Sequence, residues 1–380
     1  MKTRAAFIML MMAATLATVA RSGHEQPVYP SYYPHEIEIS PVSPERAAAL
    51  LAQGKLHAFV GQPPSFTGPL PDQVRAVESL GSFLVVRANP AQESEESACT
   101  AVRTFIADLA GRAGGFVFHP YPVTPMHGDY LHHVDLAEAA KARLLAAKSD
   151  LATREPRVRA SGALARSLIR PASPTESAQW EVEFVEVGAA EIVLSGTLAI
   201  NGWLEPAWLK EGWFHALLVL GGSLGASETK ERVEAAAKRL QANDFQSLAE
   251  RINLERELVA VLAGNCRALV VGYTMKREYF NAEFSTGIEN IAFDSITGMN
   301  SAIFLRTVKL KDFPWNGELA LALATPPAAA WNPIAGFTDP FGRLMWSAIG
   351  DSALLPSPYG AEWMFNRVSD VEAAPAGKAE

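Results

Sequence analysis

Histidine and carboxylate side chains are concentrated between positions 119 and 135 of this chain. Four of its eight histidines fall within residues 119–133, together with one aspartate and three prolines. Imidazole and carboxylate groups are the usual protein ligands of zinc, copper and iron, and the prolines stiffen the segment that carries them. A divalent transition metal could therefore be held by His127, Asp129 and one of His132 and His133. A solvated or hydrogen-bonded loop without a metal is the favoured interpretation.

A second polar group lies within residues 273–283, where charged and aromatic side chains alternate. Arg277, Glu278, Tyr279 and Glu283 could line a ligand pocket. Glu278 and Glu283 could also form the carboxylate pair that glycoside hydrolysis requires. On a helix, however, a spacing of five residues places the two carboxylates on different faces. An exposed, salt-bridged helix is therefore the favoured interpretation of this segment.

Two short motifs resemble those of serine enzymes, and neither is complete. Residues 221–225 read Gly-Gly-Ser-Leu-Gly, but the last histidine of the chain is His215, so no base follows the serine. Ser227 and Lys230 match a Ser-x-x-Lys pattern without a companion Lys-Thr-Gly. The first motif indicates a glycine-rich turn between helices, and the second a helix capped by Ser227. The chain also lacks a phosphate-binding or dinucleotide fingerprint, so we expect no nucleotide cofactor.

The first 20 residues predict export. Lys2 and Arg4 precede an uncharged, mostly apolar stretch over residues 5–19, and Ala20 offers a small-residue cleavage site. We expect a signal peptide at residues 1–20 and a periplasmic or secreted mature protein, with an uncleaved anchor as the alternative. No later segment is apolar for the roughly 20 residues that a membrane helix needs, so we expect no membrane span after signal removal.

The predicted location bears on the redox state of the two cysteines. In an oxidising compartment Cys99 and Cys266 could form one disulfide across 167 residues. Two buried free thiols are the alternative, and the sequence does not decide between them. A Cys-x-x-Cys-His motif is absent, so covalent c-type haem is excluded.

Composition and charge exclude further classes. Hydrophobic residues make up 49% of the chain and charged residues 19%, which is typical of a globular protein with a substantial core. The formal net charge is −8 and no basic run occurs, so we expect no nucleic-acid partner.

The patterning predicts an α+β fold with a mixed α/β front half, a mainly helical back half and long proline-rich irregular segments. We expect a mixed region over residues 21–200, a mainly helical region with a proline-rich C-terminal wrap over residues 201–371, and a disordered tail over residues 372–380. The individual predictions are helices after Ser43 and Ser227, a helix begun by Asp244, a hairpin formed by strands 180–187 and 192–200, and an irregular segment over 314–358.

No complete catalytic set emerges from these motifs. The first hypothesis is an exported ligand-binding or accessory protein of a redox or transport system, whose partner is a small molecule or another periplasmic protein. The alternative is a periplasmic hydrolase in which His127, Asp129 and His132 hold a metal that activates water. A second alternative is a carbohydrate-active protein that uses its tryptophans with Glu278 or Glu283. Whether the chain is an enzyme stays open at this point.

Overall fold

The computed structural model describes residues 34–91, 94–110, 114–146, 156–169, 180–193, 206–225, 227–283, 285–312, 317–326, 339–349, 352–360 and 362–370. The predicted signal peptide and the predicted C-terminal tail lie outside these ranges. So do residues 194–200 of the predicted hairpin.

A large mixed sheet organises the described residues. The strands of the described residues are β1 (Glu36–Pro41), β2 (Ala58–Val60), β3 (Val74–Ala88), β4 (Val117–Phe118), β5 (Val158–Ser161), β6 (Val182–Gly188), β7 (Ala268–Asn281), β8 (Ile288–Asn290), β9 (Lys309–Leu310), β10 (Glu318–Leu323), β11 (Leu354–Pro356) and β12 (Trp363–Phe365). Eight of them form one sheet in the order β1-β10-β2-β7-β3-β6-β5, with β4 paired to β7. The pairs β1–β10, β10–β2 and β5–β6 are parallel, and the other pairs in this sheet are antiparallel. β8–β9 and β11–β12 form two separate two-stranded antiparallel sheets.

Helices cover both faces of this sheet. They are α1 (Pro44–Ala52), α2 (Glu95–Leu109), α3 (Val134–Ala146), α4 (Ala163–Leu168), α5 (Gly212–Leu220), α6 (Glu228–Gln241), α7 (Leu248–Gly264), α8 (Ala302–Thr307) and α9 (Pro340–Ile349). Short 3₁₀ turns occur at Tyr130–His132, Ala207–Lys210 and Gly221–Ser223.

Strand β3 shows why the sheet needs helices on both sides. Successive side chains of a strand point to opposite faces, and β3 carries an apolar run at residues 83–86. Phe83 and Val85 pack into the core formed with α5, α6 and α7. Leu84 and Val86 pack into a second core with α2 and α4. The predicted α+β fold class, with its mixed sheet, is therefore confirmed.

Two of the three predicted helix starts are confirmed by the hydrogen bonds of their capping serines. The Ser43 hydroxyl accepts the backbone N–H of Arg46, and the Ser227 hydroxyl accepts that of Lys230. The prediction that Asp244 begins the next helix is wrong, because Ser247 caps α7 by accepting the N–H of Glu250. Serine at this position satisfies one of the N–H groups that lack a partner in the first helical turn.

Three segments differ from the predicted secondary structure. Residues 277–281 belong to strand β7, not to a helix, because β7 pairs with β3 along most of its length. Residues 189–193 are helical, so the predicted strand from residue 192 does not begin there. The segment predicted as irregular contains β10, whose Leu319, Leu321 and Leu323 alternate toward one core. Within the described residues, no helix has both the length and the apolar character to cross a membrane.

Candidate functional site

Residues 119–133, which we call the histidine segment, follow β4 and form a series of tight turns against α5. The His127 backbone N–H donates to the Thr124 carbonyl, and the Tyr130 N–H donates to the His127 carbonyl. β4 itself is held by β7, through the pairing of Val117 with Tyr273. The segment predicted to carry chemistry is therefore fixed to the central sheet at its start.

His127 is paired with His215 of α5 in the protein interior. The Thr124 N–H lies 2.9 Å from His127 Nδ1, so this nitrogen accepts a hydrogen bond and His127 carries its proton on Nε2. His127 Nε2 donates to His215 Nδ1 over 3.1 Å, and His215 Nε2 donates to the Leu209 carbonyl over 3.0 Å. All four ring nitrogens are thus engaged when both rings are neutral. Burial lowers the pKa of His127 well below 6.5 and that of His215 to about 4.

Asp129 and His133 form a second buried pair. The Asp129 carboxylate accepts the N–H of Gly212, the first residue of α5, at 3.0 and 3.1 Å. Negative charge is favoured at a helix N-terminus, yet burial still raises the pKa of Asp129 to about 7. His133 Nδ1 bonds to the Tyr121 hydroxyl at 3.0 Å. Its Nε2 lies 3.9 Å from Asp129 Oδ2 and has no hydrogen-bond partner among the described residues.

The structure does not bring the four predicted metal ligands to one point. His127 is occupied by hydrogen bonds, and His132 is exposed at the surface. In the described part of the chain, one group of His, Cys, Asp and Glu side chains has its ligand atoms within 4.8 Å of one another, and it consists of Glu95, Cys99 and Cys266. In the described residues the histidine segment forms a hydrogen-bonded loop.

The four residues predicted at 277–283 are also separated. Arg277 is exposed and pairs with Glu78 on β3 at 2.8 Å. Tyr279 lies on the same face of β7 and packs against Phe66. Glu278 points the other way and is fully buried, where its carboxylate accepts the N–H groups of Gly61 and Met299, each at 2.7 Å. Glu278 thereby links β7 to the segments that contain Gly61 and Met299.

Glu283 lies beyond the end of β7, in an exposed turn. Its carboxylate accepts the backbone N–H groups of Ser285 and Thr286, at 2.8 and 2.9 Å. The Ser285 hydroxyl is the largest of the causes that lower the pKa of Glu283 to about 2. Glu278 and Glu283 therefore hold backbone donors, and the ligand pocket predicted from this segment is not assembled by its four residues.

The remaining motifs are structural. Ser223 of the Gly-x-Ser-x-Gly match donates to the Leu220 carbonyl at 2.6 Å and accepts from Asn265, in a turn that follows α5. Cys99 and Cys266 form a disulfide with a Cα–Cα distance of 4.9 Å. This bond joins α2 to the segment between α7 and β7.

A cleft of about 310 Å³ opens on the solvent side of Asp129. Four elements meet there: the histidine segment, the turn before α5, the first half of α7 and the residues between β11 and β12. The lining residues that carry charge are Asp129, Lys210, Glu211, Arg251, Glu255 and Glu362, and the others include Gly128, His132, Leu248, Ile252, Tyr359 and Gly360. A concave site with a few convergent polar groups is the usual form of a small-molecule site.

Ion pairs and hydrogen bonds join several of the charged side chains of this cleft beside α5. Arg251 Nε donates to Glu255 at 2.6 Å, and its Nη2 donates to Glu211. Glu211 also accepts the indole N–H of Trp213. Glu255 is buried, and burial raises its pKa against the opposing effect of Arg251. One guanidinium thus serves two buried carboxylates, which leaves an excess of negative charge.

Lys210 does not remove this excess. Its ammonium group donates to Asp294 at 2.6 Å and to the Ser357 carbonyl, so its charge is matched outside the cleft. Glu362, at the rim, accepts the Ser357 hydroxyl at 2.7 Å. Four carboxylates and two cations line the cleft, and one of those cations already has an external partner.

Large apolar side chains are exposed at the mouth of the cleft. Leu248 and Tyr359 line it and are 67% and 59% exposed. Gly128 allows the Tyr359 segment to approach, because a Cβ atom at this position would lie 2.5 Å from the Tyr359 carbonyl oxygen. The acidic interior is therefore bordered by an apolar rim.

Sequence reasoning missed most of this cleft. Of the predicted residues, Asp129 and His132 line it, whereas Glu211, Arg251 and Glu255 were not singled out. Arg251 and Glu255 are four residues apart on α7, a spacing that indicates an ion pair. Their convergence with Glu211 depends on how α5 packs against α7, and no local pattern carries that information.

Comparison with known proteins finds weakly similar solved structures and no similar sequence. No protein-family model and no curated protein sequence matches the chain. NikZ from Campylobacter jejuni, solved in complex with Ni(L-His), is 12% identical with a TM-score of 0.34, and the match covers 70% of this chain and 60% of NikZ. The ABC transporter substrate binding protein CtaP from Listeria monocytogenes is 14% identical with a TM-score of 0.38, over 70% of this chain and 58% of CtaP.

A third solved structure is similar to this chain to the same low degree. The oligopeptide-binding protein AppA from Bacillus subtilis, in complex with a nonapeptide, is 11% identical with a TM-score of 0.34, over 70% of this chain and 58% of AppA. The chain thus spans less than two thirds of the length of each of these structures. At these identities and scores, the matches do not say what this chain binds.

Proposed function

We propose that this chain is an exported ligand-binding protein that serves a transport system, and that the cleft beside Asp129 is its ligand site. The observation that carries this proposal is the cleft itself, where buried carboxylates from three separate elements converge behind an open mouth. Export is supported by the predicted signal peptide and by the disulfide, which is typical of an oxidising compartment. No complete catalytic set accompanies the cleft in the described residues.

The ligand that fits this cleft is a small organic cation with an apolar body. The surplus carboxylates produce a negative potential within low-dielectric walls, which attracts a positive group and disfavours an anion. Asp129 is 6% exposed, so a cation beside it would be little screened by water. The exposed rim formed by Leu248 and Tyr359 would cover the apolar part of such a ligand and remove that part from water.

A thermal-shift and calorimetric screen tests this proposal with three matched probes: hexylamine, hexanol and hexanoate. We expect hexylamine to raise the melting temperature and to give a binding isotherm, and hexanoate to give neither. Asp129→Asn removes the charge and keeps an acceptor for the Gly212 N–H, so it should weaken binding of hexylamine about tenfold or more. Glu257→Gln, an exposed position on α7 outside the cleft, is the matched control.

The outcomes separate the two parts of the proposal. Binding of hexanol or hexanoate that is lost in Asp129→Asn would retain the ligand site and refute the cationic ligand. The absence of binding by every probe, repeated with a panel of diamines and short basic peptides, would refute the ligand site itself. Equal affinities of Asp129→Asn and Glu257→Gln for hexylamine would show that binding occurs elsewhere.

A further inference from the structure

Three potential metal ligands meet at the disulfide, away from the proposed ligand cleft. Glu95 and Cys99 are four residues apart on α2, and Cys266 lies between α7 and β7. One ligand atom from each of the three lies within 4.8 Å of the other two. Sulfur and carboxylate oxygen are both found in zinc sites, where the metal is four-coordinate.

We propose that reduction of the Cys99–Cys266 disulfide creates a site for a thiophilic divalent cation of the zinc class, held by the two thiolates and Glu95 with water in the fourth position. A dithiol reductant supplies two electrons and two protons, the S–S bond breaks, two thiols form, and the reductant becomes a disulfide. The cation then displaces the two thiol protons and forms two metal–sulfur bonds. In the oxidised protein both sulfurs are engaged in the disulfide and the site is closed.

The movement that this conversion requires is small. Zinc–sulfur bonds of about 2.3 Å at a tetrahedral angle place two sulfurs about 3.8 Å apart. A disulfide holds them at about 2.0 Å, so each sulfur has to move by about 0.9 Å. With the Cα atoms already 4.9 Å apart, a rotation of the two side chains supplies this distance without movement of the backbone.

The backbone on both sides of the site is well supported. Cys99 belongs to α2, whose Val102 and Ile106 are fully buried in the core beneath the sheet. On the other side, the N–H of Arg267 donates to the Asn265 side chain at 3.1 Å, and the Arg267 carbonyl accepts the N–H of Ala88 at 2.7 Å. Reduction therefore leaves the two thiols close together instead of releasing them.

Access to the site is also available. Cys99 is 8% exposed, Cys266 is half-buried and Glu95 is exposed. A reductant can approach from the side of Cys266, and an ion can enter from the side of Glu95. Glu95 lies in the first turn of α2, where Ser94 caps the helix, so its carboxylate does not serve as the cap.

Cobalt(II) provides the spectroscopic test on the full-length mature protein. The protein is reduced with dithiothreitol, freed of reductant under anaerobic conditions, and titrated with Co²⁺. We expect one equivalent to bind, with a thiolate-to-cobalt charge-transfer band in the near ultraviolet and visible bands of tetrahedral cobalt. Zn²⁺ should displace the cobalt and raise the melting temperature of the reduced protein. The oxidised protein should show neither band.

Variants assign the ligands. Cys99→Ser should abolish the charge-transfer band of the pair, and Glu95→Gln should weaken Co²⁺ binding at least about tenfold. Glu96→Gln is the matched control, since it removes the neighbouring exposed carboxylate and should bind like the parent protein.

Three results would overturn the proposal. The first is a reduced protein that keeps its far-ultraviolet circular dichroism but develops no charge-transfer band. The second is equal Co²⁺ affinity in Glu95→Gln and Glu96→Gln, which would remove Glu95 from the site. The third is loss of folded structure on reduction, because the site requires α2 and β7 to stay in place.

Discussion

The buried pair of His127 and His215 makes the stability of this protein depend on pH in a way that one substitution can isolate. Protonation of His215 would place a second N–H on Nδ1, directly facing the Nε2–H of His127 at 3.1 Å. The folded-state pKa of His215 is about 4, against 6.5 for an unperturbed histidine. Between pH 4 and pH 6.5 the unfolded chain therefore binds more protons than the folded protein. The free energy of unfolding falls as the pH decreases from about 6.5 toward 4.

The size of this effect follows from the two pKa values. At pH 5 the difference contributes about 2 kcal/mol of lost stability from His215 alone, and at pH 7 about 0.2 kcal/mol. Other buried groups titrate too, including Asp129, whose raised pKa acts in the opposite direction. A comparison of the parent protein with His215→Gln cancels these contributions, because glutamine does not titrate and its amide can still donate to the Leu209 carbonyl.

Urea unfolding at pH 7 and pH 5 provides the assay, with the free energy of unfolding obtained from the midpoint and slope. We expect the parent protein to lose about 2 kcal/mol more than His215→Gln between the two pH values. His35→Gln, a substitution at an exposed histidine, should behave like the parent. The reasoning is refuted if the parent and His215→Gln lose the same free energy to within about 0.5 kcal/mol.

Three further predictions concern stability. Reduction of the single disulfide removes a crosslink across 167 residues and should lower the free energy of unfolding by about 3 to 5 kcal/mol, measured with and without reductant; a variant with both cysteines replaced by serine should not respond to reductant. Gly212→Ala would place a Cβ atom 2.4 Å from the Val123 side chain and should cost about 1 to 3 kcal/mol, whereas Gly222→Ala, with nothing within 4 Å, should cost less than about 0.5 kcal/mol. Glu278→Gln puts an amide against a backbone N–H and should cost about 2 to 4 kcal/mol in urea unfolding, while Glu283→Gln, in the turn after β7, should cost less; equal costs would contradict the buried role of Glu278.

The parts of the fold that were predictable from sequence depend on neighbouring residues. Ser43 and Ser227 were identified as caps because the cap and its helix lie within four residues of each other. β10 was missed although its Leu-Ala-Leu-Ala-Leu alternation is visible, because the prolines around it suggested an irregular wrap. β7 was partly taken for a helix because the charges of Arg277 and Glu278 obscured a strand that is defined by its pairing with β3.

The candidate site shows the limit of local reasoning more clearly. The histidine segment was selected for its composition, but its hydrogen bonding depends on His215, which is 88 residues away from His127. The buried carboxylates of the cleft come from the histidine segment, the turn before α5 and helix α7. Charged residues at such separations are ordinary surface residues in a sequence, and only tertiary packing makes Glu211 and Glu255 buried neighbours.

The position of β10 has a consequence for how the chain acquires its structure. β10 lies between β1 and β2, with parallel pairing on both sides, although more than 250 residues separate it from either strand in sequence. The early strands therefore lack their native partner until the chain has been made as far as residue 323. Folding is slow when it depends on contacts between residues that lie far apart in the sequence. A chain that is slow to close its sheet stays unfolded for longer after synthesis, and during that time the edges of β1 and β2 are open to pairing with other strands.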